Sequence, residues 1–233
     1  MAKPKVVSQK EWLAVRKALL VKEKKFTRLR DQLSQERRQL PRVKVDKEYV
    51  FDGPKGKETL SELFDGRSQL IVYHFMFDPR WEAGCPHCSH VADRFNGIIR
   101  HLNQRDVTMV AVSQAPFGKL AAYKQRMGWN FKWVSSSETD FNLDYHVSFT
   151  PEELAKKKAL YNFTLQNPDS PQREGVSVFY KDPTGRVFHT YSTYARGIDM
   201  FMVDYHYLDL VPKGRDEGKR GPFWVRRHDE YGR

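Results

Sequence analysis

The stretch from Gln69 to Asn103 constrains the fold of this chain more than any other. It begins with the run QLIVYHFMF, passes through DPRWEAG and CPHC, and continues as SHVADRFNGIIRHLN. The first run is apolar and aromatic, which is typical of a buried strand. After the second cysteine, apolar residues recur with the spacing of one helix face, at Val91, Phe95, Ile98, Ile99 and Leu102. The CPHC motif is therefore predicted to lie where a strand passes through a loop into a helix.

Cysteines in this setting are predicted to be redox-active. At a helix start, unpaired backbone N–H groups and the helix dipole favour the thiolate of Cys85. Cys88, one turn later on the same face, can attack a mixed disulfide formed at Cys85. Pro86 suits the first helical turn, where its missing N–H has no helical partner, and a protonated His87 would stabilise the thiolate. We therefore predict Cys85, Pro86, His87 and Cys88 as catalytic residues.

Three other interpretations of the two cysteines stay open. A structural disulfide would close a four-residue loop, which adds little loop-closure entropy. A zinc site could use both cysteines with His87 or His90, although structural zinc usually takes ligands from two such motifs and only one is present. Two inert cysteines fit the strand-loop-helix setting least well. His74, inside the predicted strand, is interpreted as a core histidine.

Length and composition indicate a globular protein. The chain has 233 residues, of which 39% are hydrophobic and 13% aromatic, enough for one sizeable domain with extensions. The longest apolar run, near 70–77, has the length of a strand rather than of a membrane span. The N-terminal sequence MAKPKVVSQKEW has no apolar segment of a secretory signal. We expect a cytoplasmic protein with a dithiol resting state, without a metal or organic cofactor and without a membrane partner.

The positive charge is concentrated near the N-terminus. Residues 1–47 hold 15 Lys and Arg against 5 Asp and Glu, so this segment carries +10 of the net +11. Ser8 and Glu11 form a capping-box pattern that opens a predicted helix to about Gln39. Its apolar positions form one stripe, made of Trp12, Val15, Leu19, Phe26, Leu29 and Leu33. We predict that the domain body or a second subunit, as in a homodimer through this helix, covers the stripe; the basic face is interpreted as solvated rather than as a nucleic-acid site.

The remaining patterns predict an α/β domain. Val107–Ser113 is a second buried strand, and the strand-helix-strand unit makes it parallel to the first. Further predictions are helices at 117–127, 151–161 and 197–207, a short strand at 131–135, and a β-hairpin of 176–180 with 186–191 around the turn DPTG. The predicted organisation is a basic amphipathic helix over 1–43, a domain over 44–211 and an irregular tail over 212–233.

This order of elements resembles the thioredoxin-like fold, a central mixed sheet flanked by helices, here with a long N-terminal helical extension. More closely, the chain is similar to the bacterial domain-of-unknown-function family 899, whose members are described as predicted dithiol-disulfide oxidoreductases. The similarity is carried by segments that span nearly the full length: EWLAVRKALL, EKKFTRLRDQL, FDGPKG, QLIVYHFMF, GCPHCS, RMGWNFKWVSS, GVSVFYKD, FHTYSTYARG and LDLVPKGRDE. The resemblance implies the fold and a dithiol-disulfide activity.

Two positions depart from the thioredoxin pattern. Thioredoxins carry Trp directly before the first cysteine, whereas here Gly84 stands there and Trp81 lies earlier. Thioredoxins also place a cis-proline before the strand that faces the cysteines, and the matching segment, which includes Val176 and Ser177, has no proline. By this resemblance Trp81, Val176 and Ser177 are the expected substrate-binding residues, while the missing proline raises the metal alternative.

The sequence supports three hypotheses for the function. The first is a thiol-disulfide oxidoreductase whose partners are protein or small-molecule thiols and disulfides. The second is a peroxiredoxin-like thiol peroxidase, in which Cys85 becomes a sulfenic acid and Cys88 condenses with it. The approach to Cys85 lacks the threonine and the spacing usual in peroxiredoxins, which favours the first hypothesis. The third is a non-catalytic interaction or metal-binding protein on a thioredoxin-like scaffold.

Overall fold

The structure, a computed structural model, describes residues 4–232. The chain divides after Pro41 into two compact units. The first unit contains one helix, α1, at Gln9–Arg38. The Ser8 side chain accepts a hydrogen bond from the backbone N–H of Glu11, and the Glu11 carboxylate accepts one from the backbone N–H of Ser8 at 2.9 Å. The predicted helix and its capping box are thus confirmed.

The apolar stripe of α1 is exposed. Trp12 and Leu19 are 50% and 49% exposed, Phe26 and Leu33 are also exposed, and no described residue of the helix is buried. The cover of these side chains, by the domain body or by a second subunit, stays a prediction.

The second unit alternates strands and helices. Its strands are β1 (Val43–Lys44), β2 (Val50–Gly53), β3 (Gly56–Thr59), β4 (Gln69–His74), β5 (Val107–Ser113), β6 (Trp133–Ser135), β7 (Ala159–Tyr161), β8 (Thr164–Gln166), β9 (Gly175–Lys181) and β10 (Val187–Tyr194). Its α-helices are α2 (Pro86–Ala92), α3 (Phe95–Asn103), α4 (Phe117–Arg126), α5 (Phe141–Asp144), α6 (Pro151–Ala155) and α7 (Val203–Leu208). Short 3₁₀ helices lie at Glu62–Phe64, Ala195–Phe201, Gly218–Arg220 and His228–Glu230.

Within the described residues the main sheet has eight strands in the order β1-β10-β9-β4-β5-β6-β2-β3, and β7 pairs with β8 apart from it. The predicted parallel pairing of β4 with β5 is confirmed, with Gln69 opposite Val107 and His74 opposite Val112. On the other side of β4 runs β9, antiparallel, which forms the predicted hairpin with β10. A strand before the CxxC helix, a parallel crossover strand and an antiparallel hairpin give the chain a thioredoxin-like fold.

The sheet is buried on both faces, which explains why β4 and β5 read as continuous apolar runs. Side chains alternate along each strand. Tyr73 and Ala111 pack under the helices in one cluster, together with Cys88. Leu70 and Val112 pack in a second cluster on the opposite face. The cysteines therefore lie on the face that α2, α3 and α4 cover.

Three sequence-based elements need correction. The helix predicted over 151–161 ends at Ala155, because Lys157 adopts a left-handed backbone with φ +52°, and residues 159–161 form β7 instead. The helix after Cys88 is divided into α2 and α3. The helix predicted over 197–207 is a 3₁₀ segment followed by α7.

Candidate active site

Strand β4 and helix α2 place the two cysteines. Cys85 is the N-cap residue of α2, with φ −52° and ψ 131°, and Pro86 is at the first helical position as predicted. The backbone N–H of Ser89 donates to the carbonyl of Cys85 at 2.9 Å, so the first turn is closed. The CPHC motif thus spans the transition from loop to helix.

Met76, just beyond the end of β4, holds both cysteines through its backbone. Its carbonyl oxygen accepts a hydrogen bond from the Cys85 N–H at 3.0 Å. Its own N–H donates to the Cys88 sulfur at 3.4 Å. Because Met76 contributes only backbone groups, these contacts do not depend on the Met76 side chain.

Gly84 permits the approach of the loop to the core. A Cβ atom at this position would lie 2.7 Å from the Phe75 ring and 2.9 Å from the Tyr123 ring. No larger residue fits there without displacement of those rings, so the tryptophan of thioredoxins has no room at this position. The carbonyl of Gly84 accepts two hydrogen bonds from the Arg227 guanidinium, at 3.0 and 2.8 Å.

The two thiols differ in exposure and in acidity. Cys85 is partly exposed, whereas Cys88 is only 1% exposed. Hydrogen bonding from Cys88, and less from His87 and the Cys88 backbone N–H, lowers the pKa of Cys85 well below its usual value against the effect of burial. Burial, followed by the hydrogen bond to Cys85 and the negative charges of Cys85 and Glu174, raises the pKa of Cys88. The pKa values of the two thiols are therefore shifted in opposite directions, which favours the thiolate at Cys85 relative to Cys88.

His87 is exposed and lies beside the thiolate. Its hydrogen bond with Cys85 raises the pKa of His87 above the ordinary value, against partial burial. Its Nε2 lies 3.4 Å from the carbonyl oxygen of Pro222, so the protonated ring donates to this carbonyl. The imidazole ring thus lies between Cys85 and Pro222 of the C-terminal segment.

Tyr73 and Glu174 complete the surroundings of Cys88. Tyr73 is 1% exposed, and burial, followed by the neighbouring Cys88, raises the pKa of its hydroxyl well above the usual value. This hydroxyl has no oxygen or nitrogen partner among the described residues. Glu174 directly precedes β9 and its negative charge acts on both Cys88 and Tyr73. A neutral phenol and a carboxylate therefore both face the buried thiol.

A cavity of about 610 Å³ opens beside the thiols. Cys85, His87 and Cys88 all line it, as do Tyr73 and Met76. Its rim carries charged side chains, which are Arg173, Glu174, Arg196, Asp199, Arg215 and Glu217. The predicted catalytic residues Cys85, His87 and Cys88 are thus brought together on one cavity, with Pro86 between them in the chain.

The predicted substrate-binding residues lie elsewhere. Trp81 packs at the edge of the helix-side core and does not line the cavity. Val176 is 2% exposed and belongs to that core. Ser177 is fully buried on the opposite face of the sheet, where His74 Nε2 and Ser192 Oγ each lie 2.9 Å from its hydroxyl. The alternation of side chains along β9 turns Ser177 away from the thiols, and none of these three residues lines the cavity beside the cysteines.

His74 is confirmed as a core histidine. It is 1% exposed and stacks on Phe141, with ring centroids 5.5 Å apart, on the face opposite the cysteines. Burial, with a smaller contribution from His189, lowers the pKa of His74 to about 3. The ring is neutral at physiological pH and takes no part in the thiol chemistry.

Pro171 lies in the segment before β9, but no peptide bond among the described residues is cis. The segment pairs instead with another part of the chain. The Phe149 N–H donates to the Pro171 carbonyl at 3.1 Å, and the Arg173 N–H donates to the Val147 carbonyl at 2.9 Å. Residues 147–149 therefore occupy one hydrogen-bonding side of this segment.

Several functional positions were outside the sequence prediction. Met76 acts through its backbone, which leaves no pattern in the sequence. Glu174 stands directly before β9, and only the pairing of β9 with β4 brings it to the cysteines. Arg227 belongs to a segment whose composition predicts only an irregular tail, yet this segment buries Val225 and pairs with Arg126 through Asp229.

A second cavity, of about 770 Å³, contains neither thiol. His90 lines it, and its Nε2 donates to Asp204 at 2.6 Å, while Arg94 donates to the same carboxylate at 2.9 Å. Burial lowers the pKa of His90 despite this pairing. His90 is therefore part of a polar cluster on the far side of α2 and does not reach the cysteines' cavity.

Residues 4–232 contain no group of three or more His, Cys, Asp or Glu side chains arranged to hold a metal ion. Over the same residues, no helix combines the length and the apolar character that a membrane crossing requires.

Solved structures similar to this chain include a peroxidoxin and a peroxiredoxin. Peroxidoxin BcpB from Mycobacterium tuberculosis is 14% identical, with a TM-score of 0.45, over 70% of this chain and 93% of its own. The mitochondrial 2-Cys peroxiredoxin from Plasmodium falciparum is also 14% identical, with a TM-score of 0.42, over 77% of this chain and 97% of its own. At this identity neither activity is transferred to this chain.

Among curated proteins none matches the chain. A family model does match, over residues 1–231, and its description is a bacterial protein of unknown function, DUF899. This match covers nearly the whole length and agrees with the family resemblance of the sequence segments quoted above. The chain belongs to the DUF899 family of bacterial proteins.

Proposed function

We propose that the protein is a thiol-disulfide oxidoreductase in which Cys85 is the nucleophile and Cys88 the resolving thiol. The observation that carries this proposal is the asymmetry of the pair. A partly exposed thiol with a lowered pKa and a buried thiol with a raised pKa share one cavity. The first thiol can attack an incoming disulfide. The second thiol can then attack the mixed disulfide and release the product.

The reaction proceeds in two exchanges. The Cys85 thiolate attacks one sulfur of a disulfide RSSR, so that a Cys85–SR bond forms and RS⁻ leaves. Cys88 then attacks Cys85 Sγ, the intramolecular disulfide forms, and the second RS⁻ leaves with the proton of Cys88. In total two protein thiols and RSSR give a protein disulfide and two RSH, with two electrons passing to the substrate.

His87 contributes to the first exchange by holding a positive charge beside the thiolate. Its hydrogen bond with Cys85 raises the pKa of His87, so the ring stays protonated to higher pH while Cys85 is ionised. This stabilises the reduced protein relative to the disulfide. We therefore propose that the exchange is reversible and that the disulfide form is more oxidising than that of thioredoxin.

We also propose a cytoplasmic location, because a dithiol resting state suits a reducing compartment. In that setting the partners of Cys85 and Cys88 are other thiols and disulfides, and the chemistry described above needs no further cofactor.

The experiment that tests the proposal traps the first intermediate. Cys88→Ser is incubated with 2-hydroxyethyl disulfide and analysed by mass spectrometry, with Cys85→Ser as the matched control. We expect a single mercaptoethanol adduct on Cys85 in Cys88→Ser, none in Cys85→Ser, and an intramolecular disulfide in the unsubstituted protein. Equal adducts in the two variants, or none in either, would exclude the proposed roles. Reaction with hydrogen peroxide but not with the disulfide would favour the peroxidase alternative.

A further inference from the structure

We infer that the cavity beside Cys85 receives a small zwitterionic disulfide, one that carries both carboxylate and ammonium groups, rather than a disulfide within a folded protein. This inference rests on the proposed function and adds the chemical class of the substrate. Three features of the described residues carry it: the covered backbone, the wall formed by the C-terminal segment, and the charges on the rim.

The backbone that flanks the thiols is already paired. The Arg173 N–H donates to the Val147 carbonyl, and the Pro171 carbonyl accepts from the Phe149 N–H. A protein segment that binds beside a strand needs free backbone groups for main-chain hydrogen bonds. Here residues 147–149 already form such main-chain hydrogen bonds with the segment before β9. A substrate that depends on main-chain pairing at these groups is therefore disfavoured.

The C-terminal segment forms one wall of the cavity. Gly221 and Pro222 line it together with Cys85, and Pro222 accepts the hydrogen bond from His87. Farther along, Arg227 fixes the segment to the carbonyl of Gly84 through two hydrogen bonds. A folded protein would have to displace this wall, whereas a small molecule can enter a space of about 610 Å³.

The rim carries three arginines and three carboxylates, so its formal charges cancel. The six residues are Arg173, Arg196, Arg215, Glu174, Asp199 and Glu217. Arginine suits a substrate carboxylate, since its guanidinium can donate two parallel hydrogen bonds. The acidic residues suit an ammonium group. Arg196 and Asp199 pair with each other across 3.1 Å. A zwitterion can exchange this pair for its own carboxylate and ammonium groups, whereas an anion or a cation alone would leave one of the two side chains without a counter-charge.

Several of these rim groups are held in place before any substrate arrives. Glu217 accepts hydrogen bonds from Tyr205 and Trp224, both at 2.7 Å. Arg215 donates two hydrogen bonds to Asp209 and stacks over the Tyr205 ring, 4.2 Å from its centroid. Pre-positioned groups lose little conformational entropy on binding, so they favour discrimination by charge.

The experiment compares disulfides that differ in charge. The reduced protein is mixed with cystine, cystamine, dithiodiglycolate and 2-hydroxyethyl disulfide, which are zwitterionic, cationic, anionic and neutral, and with insulin as a protein disulfide. Each rate constant is divided by that of dithiothreitol with the same compound, which removes the intrinsic reactivity of the disulfide. We expect the normalised rate for cystine to exceed each of the others by about tenfold or more, which corresponds to about 1.4 kcal/mol.

Variants of the rim sharpen the test. Arg196→Gln and Asp199→Asn, which separate an ion pair of the rim, should each lower the ratio of the cystine rate to the 2-hydroxyethyl disulfide rate, because the neutral disulfide makes no use of the rim charges. The matched control is Arg186→Gln, an exposed arginine in the β9–β10 turn, paired with Asp182, that should leave every rate unchanged.

The possible failures are distinguishable. Insulin reacting as fast as cystine, or a normalised ranking that is flat across the four small disulfides, would overturn this inference while the proposed exchange chemistry stands. No reaction of Cys85 with any of the five disulfides would overturn the proposed function itself.

Discussion

Arg227 donates two hydrogen bonds to the carbonyl oxygen of Gly84, the residue directly before Cys85, at 3.0 and 2.8 Å. The two residues are separated by 143 positions in the sequence. This contact joins the C-terminal segment to the loop that precedes Cys85. The order of that loop, and with it the access to Cys85, should therefore depend on Arg227.

Replacement of Arg227 tests this dependence. Because hydrogen bonds from a charged donor to a carbonyl are lost, Arg227→Ala should lower the free energy of unfolding by about 2 kcal/mol. It should also speed the reaction of Cys85 with a bulky maleimide, since the wall of the cavity is released. Arg100→Ala, an exposed position on α3, is the control. Identical stability and labelling rates in the two variants would show that the contact does not hold the loop.

Gly84 is predicted to tolerate no side chain. A Cβ atom there would lie 2.7 Å from the Phe75 ring, so Gly84→Ala should cost about 1–3 kcal/mol through overpacking and displace Cys85. Gly97→Ala is the matched control, because a Cβ at this α3 position meets no atom within 4 Å. There alanine should stabilise the helix by up to about 1 kcal/mol. Thermal unfolding of both variants measures this difference. Equal melting temperatures would contradict the prediction.

His87 is predicted to tune the nucleophile. Its hydrogen bond is among the interactions that lower the pKa of Cys85, after the larger contribution of Cys88. His87→Gly should raise this pKa, so that the alkylation rate at neutral pH falls and the reduction potential becomes more negative. Each pKa unit is worth about 1.4 kcal/mol, or roughly 30 mV for a two-electron couple. Thiolate absorbance measured against pH is the readout, and an unchanged titration would remove His87 from the mechanism.

His74 is predicted to make the fold acid-sensitive. Burial lowers the pKa of His74 to about 3, while an unfolded histidine titrates near 6.5. Between these values the unfolded state binds more protons, so stability is full above about pH 6.5 and is lost as pH falls, by about 1.4 kcal/mol per unit. From pH 7 to 5, His74→Gln should therefore lose about 2 kcal/mol less than the unsubstituted protein.

Denaturant unfolding at both pH values measures this difference. The exposed His101→Gln serves as the control and should follow the unsubstituted protein. Equal losses in His74→Gln and His101→Gln would mean that His74 does not couple folding to pH.

The parts of the fold that sequence could predict are those with a local physical signature. Ser8 and Glu11 identify the start of α1, and the continuous apolar runs identify β4 and β5. The cysteine pair at the start of α2 follows from the change of hydrophobic period after Cys88. Each of these signals is read within a few residues, so long-range packing does not alter it.

Features that depend on long-range contacts were not predictable. Ser177 and Glu174 are three residues apart, yet only the registered pairing of β9 with β4 decides that one lies under the sheet and the other at the cavity. Lys157 adopts a left-handed backbone that ends α6, although this position is not a glycine and the sequence therefore does not indicate it. The attachment of Arg227 to Gly84 joins segments whose sequences show no relation.

The central claim is that Cys85 and Cys88 form one two-electron couple. Equilibration of the protein with glutathione buffers, followed by acid quenching, alkylation and mass spectrometry, tests it most directly. We predict a single transition from dithiol to the intramolecular Cys85–Cys88 disulfide, with a potential less negative than the roughly −270 mV of thioredoxin. Separate glutathione adducts on the two cysteines without an intramolecular disulfide, or a potential more negative than roughly −270 mV, would contradict it.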